Sequence, residues 1–306
     1  MKLRHMAFAV PIFLGVAAVN GYMTRAGSDD LRGKMLVDAR QRTYDLHVPT
    51  NYDGTKDAPL LIALHGRLGT GSDQQRRGHL DRLGDEFGFL VVYPDGLQRS
   101  RADGRGATPS DKSDVDDVKF ISALIDTLES KYKVDRSRIY ATGMSNGGFM
   151  TGRLACDLSD RIAAVAIVGA SISENVAADC HPAKPVSALI IQGSEDPLVP
   201  FGGALDDQGV ALPHDAAVQK FVQVNHCAGE PKKDHIPGNT GDRTSLDVTT
   251  YVGCAGGSEV QSYVVHGAGH AWPGGVPYLP ATFVGRTTRN LDGSKVIWEF
   301  LSGHSR

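Results

Sequence analysis

The stretch from residue 138 to residue 155, RIYATGMSNGGFMTGRLA, decides the fold of this 306-residue chain. Residues 138–142 form a short apolar run typical of a buried strand, and residues 148–155 have the composition of a helix. Between them, Gly-Met-Ser-Asn-Gly matches the G-x-S-x-G pattern, in which a serine occupies a sharp turn between a strand and a helix. Glycines permit such a turn because they lack a Cβ. The segment therefore predicts a nucleophile at Ser145.

Similar apolar runs recur on both sides of this segment. Predicted strands span residues 60–64, 89–93, 138–142, 162–168, 188–192 and 260–265. Residues 115–133 carry apolar side chains at three- and four-residue steps, which predicts an amphipathic helix. Strands alternating with helices predict an α/β fold with a mostly parallel central sheet and helices on both faces. Residues 33–306 are predicted to form one catalytic domain, with residues 96–113 and 229–245 as surface loops.

The turns after the predicted strands contain glycine and polar residues. Ligands bind outside the carboxyl ends of the strands in open α/β sheets, so we expect these turns to converge on one site. A serine attacks only when a base takes its proton and a carboxylate orients that base. Behind an elbow of this type the chain order is Ser, acid, His, which predicts Asp196 as the acid. Glu195 is the rival; Asp206 and Asp207 are less favoured because no predicted strand precedes them.

His270 is the predicted base, in the sequence Gly-Ala-Gly-His-Ala-Trp. It lies beyond a predicted strand in a glycine-flanked loop that can reach Ser145. His266 is the rival base, but it directly adjoins the end of the strand. His65 is interpreted as a structural histidine beneath the loop that follows the strand at residues 60–64.

Two backbone N–H groups are predicted to form the oxyanion hole. Asn146 follows the nucleophile and supplies one of them. Arg67 supplies the other from the loop after residues 60–64, with Leu68 as the alternative donor. Trp272 and Tyr278 are candidate substrate contacts, because aromatic faces suit sugars, phenolic rings and acyl chains alike; simple packing is an equally good explanation of both.

The N-terminus carries Lys2, Arg4 and His5 ahead of an apolar run at residues 6–19. This pattern predicts a signal peptide within residues 1–26, with an uncleaved membrane anchor as the alternative. The mature protein is therefore expected to be secreted or periplasmic.

Four cysteines, an even number, lie in the C-terminal half, and their spacing fits no zinc motif. In an exported protein, disulfides are the expected state. Three pairings are possible. The favoured pairing joins Cys156 to Cys180 and Cys227 to Cys254, while free buried cysteines remain the alternative.

The composition excludes several classes of function. Thirty-two basic and 35 acidic residues give a net charge of −3 without a long basic run, which disfavours nucleic-acid binding. The chain has no H-E-x-x-H, no P-loop and no G-x-G-x-x-G after a strand, so no metal site and no cofactor are predicted. No protein partner is implied, and the oligomeric state is left open.

Between Gln41 and Phe300 the chain resembles the secreted polyhydroxybutyrate-depolymerase-like and feruloyl-esterase-like α/β-hydrolases. The resemblance rests on six blocks: Leu64–Gly66 (LHG), Tyr93–Gly96 (YPDG), Asp114–Asp117 (DVDD), Ala141–Gly148 (ATGMSNGG), Gly193–Pro197 (GSEDP) and Gly269–Gly275 (GHAWPGG). It implies a serine esterase whose nucleophile, acid and base correspond to Ser145, Asp196 and His270. Members of this family also tend to carry disulfides, which supports the favoured pairing.

Two departures from the family pattern affect the expected substrate. After Tyr-Pro-Asp-Gly the family often has a tryptophan, whereas this chain has Arg99-Ser100-Arg101-Ala102-Asp103. The His-Gly loop continues with Arg67 and Leu68 instead of further glycines. The sequence thus predicts an ester hydrolase for polyhydroxyalkanoate oligomers, feruloyl or acetyl polysaccharide esters, or similar short esters. A peptidase or acyl transferase with the same triad, or a non-catalytic envelope carbohydrate-binding protein, is the alternative.

Overall fold

A computed structural model of the protein describes residues 29–206, 209–238 and 241–306. The strands are β1 (Asp29–Val37), β2 (Arg40–Val48), β3 (Ala58–Leu64), β4 (Leu90–Pro94), β5 (Val134–Met144), β6 (Ala164–Val168), β7 (Ser187–Gly193), β8 (Ala204–Asp206), β9 (Gly209–Ala211), β10 (Lys232–Ile236), β11 (Ser245–Tyr251) and β12 (Val260–His266). The helices are α1 (Gly71–Gly78), α2 (Leu80–Phe87), α3 (Pro109–Lys112), α4 (Asp117–Lys131), α5 (Asn146–Asp157), α6 (Glu174–Ala178), α7 (His214–Val224), α8 (Ala281–Val284) and α9 (Gly293–Ser302).

Ten of the described strands form one sheet in the order β1-β2-β4-β3-β5-β6-β7-β12-β11-β10, while β8 and β9 pair separately. The six strands from β4 to β12 in that order run parallel. Antiparallel strands complete both edges, β1 and β2 on one side and β11 and β10 on the other. The prediction of a mostly parallel sheet is confirmed.

Helices cover both faces because the central strands are apolar on both sides. Leu60 and Ile62 of β3 belong to the core layer that includes α4, α5 and α7. Leu61 and Ala63 of the same strand belong to the opposite layer with α2 and α9. In that second layer, Trp298 of α9 stacks on Phe89 with ring centroids 3.7 Å apart.

The two stretches predicted as surface loops differ from that expectation. Residues 229–245 contain β10, an exposed edge strand without an apolar run to signal it. Residues 96–113 contain the short helix α3 and bury Ser100, Arg101 and Asp103 completely. Polar side chains are buried here because they bond to one another and to the backbone, so hydrophobicity gives no signal of their burial.

The structure contains disulfides between Cys156 and Cys180 and between Cys227 and Cys254, the pairing favoured from the sequence. Disulfides of this kind are typical of proteins in oxidising compartments. The predicted signal peptide at residues 1–26 lies outside the described residues. A search of the described helices finds none with the length and apolar character needed to cross a membrane.

Candidate active site

Ser145 occupies the sharp turn between β5 and α5. Its backbone has φ 58° and ψ −125°, a conformation that non-glycine residues rarely adopt and that commonly marks a functional site. A Cβ on Gly147 would lie 2.3 Å from the Leu64 carbonyl oxygen, so only glycine fits there. A Cβ on Gly66 would lie 3.3 Å from that of Ser145, which places the loop after β3 directly against the serine. The strand–turn–helix unit thus holds Ser145 at the carboxyl end of the sheet.

Asp196 and His270 form a buried pair. The Nδ1 of His270 lies 2.7 Å from Oδ2 of Asp196, and the two side chains are 2% and 0% exposed. The other carboxylate oxygen accepts hydrogen bonds from the N–H groups of Leu198 and Val199, at 2.9 and 2.8 Å. These bonds fix the carboxylate, and the carboxylate orients the imidazole.

The end of β6 connects this pair to the serine. The Ser145 N–H donates to the Val168 carbonyl at 3.0 Å. A Cβ on the next residue, Gly169, would lie 3.4 Å from Nδ1 of His270 and 3.8 Å from Oδ2 of Asp196. The structure therefore places the three predicted residues at the same edge of the sheet, at the carboxyl ends of β5, β7 and β12.

The rival residues have other partners. Glu195 is exposed and pairs with Arg286 at 3.0 Å. His266 is also exposed and bonds through Nε2 to Asp247 at 2.8 Å. Asp206 ends β8, and Asp207 lies outside the described residues.

The hydrogen bonds of the loop after β3 distinguish the two predicted oxyanion donors, Arg67 and Leu68. The Leu68 N–H donates to the Arg99 carbonyl at 2.8 Å, so the alternative prediction for this residue is wrong. The Gly66 carbonyl accepts from the Gly69 N–H at 3.0 Å. The Gly66 carbonyl and the Arg67 N–H belong to the same trans peptide and point in opposite directions. The Arg67 N–H therefore points away from Gly69.

His65 is a structural residue, as interpreted from the sequence. Its Nε2 accepts the Gly96 N–H at 2.9 Å, so Nδ1 carries the proton and donates to the Gly66 carbonyl at 2.8 Å. Burial, reinforced by the nearby Arg101 charge, lowers the pKa of His65 to about 3. The neutral ring therefore fixes the peptide between Gly66 and Arg67, which carries the Arg67 N–H.

Asn146 has two features relevant to the site. As the first residue of α5, its N–H has no partner within the helix. Its side chain joins the elbow to the buried stretch 96–113: Oδ1 accepts the Arg101 N–H at 2.8 Å, and Nδ2 donates to the Arg101 carbonyl at 3.1 Å and to Asp103 at 2.5 Å. Burial raises the pKa of Asp103, an effect that the adjacent Arg105 opposes.

The sequence did not reveal this contact. Arg101 and Asp103 lie in a polar stretch that resembles an ordinary surface loop. The departure from the family pattern after Tyr-Pro-Asp-Gly was the one signal that marked these residues.

The two aromatic candidates differ. Trp272 is 4% exposed and donates its indole N–H to Ser294 at 2.9 Å, so the structure places it in the core and the prediction that it contacts substrate is wrong. Tyr278 lies edge-on to His270, with ring centroids 6.5 Å apart. Burial, with the charge of Asp196, raises its pKa to about 12.

Among the described residues, one group of side chains away from this site is compact enough to be considered for a metal. Ligand atoms of Asp30, His47 and Asp81 lie within 4.8 Å of one another. The group spans β1, β2 and α2. His47 bonds to Asp30 at 3.1 Å and to Asp85 at 3.2 Å, which accounts for the cluster as a hydrogen-bonded packing unit.

A family model described as Esterase PHB depolymerase matches residues 42–219. The chain belongs to this family. It is 31% identical over 287 residues to "Putative esterase NocK" of Nocardia uniformis subsp. tsuyamanensis, covering 88% of this chain and 82% of that protein.

The chain is also similar to "Feruloyl esterase B" of Piromyces equi, with 33% identity over 230 residues. That match covers 73% of this chain but 41% of the relative, so this chain spans less than half of that protein. Among solved structures, an acetyl xylan esterase from Aspergillus awamori matches with a TM-score of 0.58 and 17% identity, covering 85% of this chain and 94% of that one. The present chain, as a member of the Esterase PHB depolymerase family, has the α/β-hydrolase fold and is a carboxylic ester hydrolase.

Proposed function

We propose that this protein is an exported serine esterase that uses Ser145, His270 and Asp196 as a catalytic triad. The observation that carries the proposal is the buried 2.7 Å bond between His270 and Asp196 beside a strained serine elbow. A hydroxyl becomes an effective nucleophile only with such a base and orienting carboxylate. The same bond favours the tautomer with the proton on Nδ1, which leaves Nε2 free to accept a proton.

In the proposed mechanism, Ser145 Oγ attacks the ester carbonyl carbon while His270 Nε2 takes the hydroxyl proton. The backbone N–H groups of Asn146 and Arg67 bind the oxyanion of the tetrahedral intermediate. The intermediate collapses as His270 gives its proton to the leaving alcohol, and an acyl-enzyme remains. Water then attacks the acyl group, with His270 again as base and acid, and releases the carboxylic acid. Asp196 orients the imidazole throughout, and no metal or organic cofactor takes part.

We infer the substrate class from the names of the relatives and from the family description. Feruloyl and acetyl xylan esterases among them support ester bonds to plant polysaccharides, and the family description supports hydroxybutyrate oligomers. We propose these esters, or similar short ones, as substrates. The two disulfides, with the signal-peptide pattern at residues 1–26, support an exported location.

Initial rates on acetyl, butyryl, hydroxybutyrate-oligomer and feruloyl esters test this proposal. The mature protein should turn over at least one of them, and Ser145→Ala should lose ~10³-fold or more in kcat. Ser130→Ala, an exposed serine in α4, is the matched control and should retain the rate. Near wild-type turnover by Ser145→Ala would refute the assignment.

The same assay separates the alternatives. An acyl transferase would pass the acyl group to an added alcohol in preference to water, and a peptidase would cleave a peptide substrate. Polysaccharide binding without hydrolysis of any ester would favour a non-catalytic envelope protein.

A further inference from the structure

Three arginines in segments next to the candidate active site have no ion-pair partner among the described residues. Arg67 and Arg99 are exposed and Arg77 is half-buried. Within the part of the chain that the structure describes, none of these guanidinium groups forms a salt bridge or a side-chain hydrogen bond. Two other arginines near the site have partners: Arg286 pairs with Glu195, and the fully buried Arg101 donates through Nη2 to the Pro94 carbonyl.

Backbone contacts place two of the three arginines, Arg67 and Arg99, in loops next to Ser145. Arg67 directly follows Gly66, whose Cα lies against Ser145. The Leu68 N–H bonds to the Arg99 carbonyl at 2.8 Å, which joins the loop after β4 to the loop after β3. Both arginines therefore project from the loops next to the proposed oxyanion hole.

The third arginine reaches the site from the end of α1. The Arg77 guanidinium lies 5.3 Å from the ring centroid of Tyr278, and that ring lies 6.5 Å from the ring of His270. The charge is thus within about 12 Å of the imidazole. Two carboxylates near the start of α1 already have partners: Asp73 pairs with Arg76 at 2.7 Å, and Asp95 pairs with Arg32 at 3.3 Å. A surplus of positive charge remains on this side of the site.

Exposed apolar side chains also occur in the loops that carry Asp196 and His270. Leu198 follows Asp196, while Val276, Leu279 and Phe283 follow His270 in sequence, and all four side chains are exposed. A neutral ester would leave the three guanidinium groups without a function in binding. An arginine's planar fork is suited to carboxylates, and unpaired cations at the rim of a cleft attract anionic ligands.

We propose that the preferred substrates are esters that carry an additional carboxylate group, which Arg67, Arg77 and Arg99 bind. This inference rests on the proposed esterase function of Ser145. The exposed apolar side chains in the loops of Asp196 and His270 accommodate the uncharged part of the same substrate. Specificity for charge then lies on the loops after β3 and β4, where the chain departs from the pattern of its family.

Two pairs of probes test the proposal, each with an anionic ester and its neutral amide isostere. Monomethyl adipate and methyl adipamate place the charge on the acyl part. Sodium 6-acetoxyhexanoate and 6-acetoxyhexanamide place it on the alcohol part. The measured quantity is the ratio of kcat/KM for the anionic ester to that for the neutral ester, because a general loss of activity cancels in this ratio.

For at least one pair, the wild-type ratio should exceed one by about tenfold at low salt and fall at 0.5 M NaCl, since screening weakens exposed charge interactions. Each of Arg67→Gln, Arg77→Gln and Arg99→Gln should lower the ratio by about two- to fivefold, and the triple variant should bring it close to one. Arg136→Gln, an exposed arginine near the opposite end of β5, should leave it unchanged. Circular dichroism confirms that each variant is folded.

Ratios of one or below for both pairs, with Ser145-dependent hydrolysis of the neutral esters, would overturn the charge preference and leave the esterase function intact. A triple variant that keeps the wild-type ratio would also overturn it. Absence of Ser145-dependent hydrolysis of every ester would remove the esterase proposal and, with it, this inference.

Discussion

The nucleophile side and the acid–base side of the site are held in different ways. Ser145 sits in a turn enforced by backbone contacts too close for a Cβ, and three side-chain bonds of Asn146 fasten that turn to a buried polar stretch. The imidazole of His270 has one side-chain hydrogen bond in the structure, to Asp196. The position of the nucleophile is thus supported by many contacts, whereas the orientation of the base depends on one carboxylate. Changes on the two sides should therefore have different consequences.

The largest effect on activity is expected from Asp196→Asn. The amide can hold the backbone turn at residues 198–199, but it favours the wrong tautomer of His270 and does not stabilise the imidazolium. We expect kcat to fall by ~10⁴-fold with little change in the free energy of unfolding. Steady-state kinetics and urea denaturation measure both. Glu195→Gln, next in the chain and exposed, is the control and should retain the wild-type kcat; a comparable loss in that control would contradict the assignment of the acid.

Asn146→Ala should affect both properties, because the side chain supports the elbow. Loss of its bonds leaves the Arg101 peptide and the Asp103 carboxylate without these buried partners, which should lower the free energy of unfolding by about 2–3 kcal/mol. We expect kcat to fall by ~10- to 100-fold because the oxyanion donor shifts. Asn146→Asp keeps the shape but places a carboxylate beside Asp103 and should be no better. An unchanged free energy of unfolding in the alanine variant would show that the hydrogen bonds of the Asn146 side chain contribute little to stability.

Acid should destabilise the protein through two buried histidines, one of which supports the elbow. Burial lowers the pKa of His65 to about 3 and that of His214 to about 4. In the unfolded chain a histidine binds a proton near pH 6.5, so between these values the unfolded state holds more protons and stability falls as the pH falls.

For each of these histidines the free energy of unfolding should be lower by about 2 kcal/mol at pH 5 than at pH 7. Urea denaturation at both pH values measures this loss. His214→Gln can keep contacts with Gln192 and Ser262 and should reduce the loss by the share of that histidine; an unchanged pH dependence would contradict a neutral His214.

The smallest effect is expected from Tyr278→Phe. The Tyr278 ring lies edge-on to the His270 ring, so the phenylalanine variant should keep kcat within about twofold, while Tyr278→Ala should lose more because the imidazole loses a packing partner. Rates of the two variants on one neutral ester make the comparison. A larger loss for phenylalanine than for alanine would place the function of Tyr278 in its hydroxyl group.

Much of the central sheet was predictable. The six predicted strands correspond to β3, β4, β5, β6, β7 and β12, because each contains an apolar run, and β3, β4, β6 and β7 are buried along their whole length. The edge strand β10 was missed because its five residues, Lys232–Ile236, are all exposed and lack such a run. For Trp272 the sequence left substrate contact and core packing open, because an aromatic side chain near a predicted catalytic histidine has the same sequence signal in a cleft and in a core.

The sequence by itself determined the order of the chemical groups along the chain and the strands that carry them, because apolar runs, glycine turns and the G-x-S-x-G motif are local patterns. Only the tertiary structure decided which groups meet. It paired Asp196 with His270, assigned the Leu68 N–H to the Arg99 carbonyl and, among the described residues, left Arg67, Arg77 and Arg99 without an ion-pair partner. These outcomes depend on loops that approach one another across the end of the sheet, where hydrogen-bond partners are distant in sequence and no periodicity marks them.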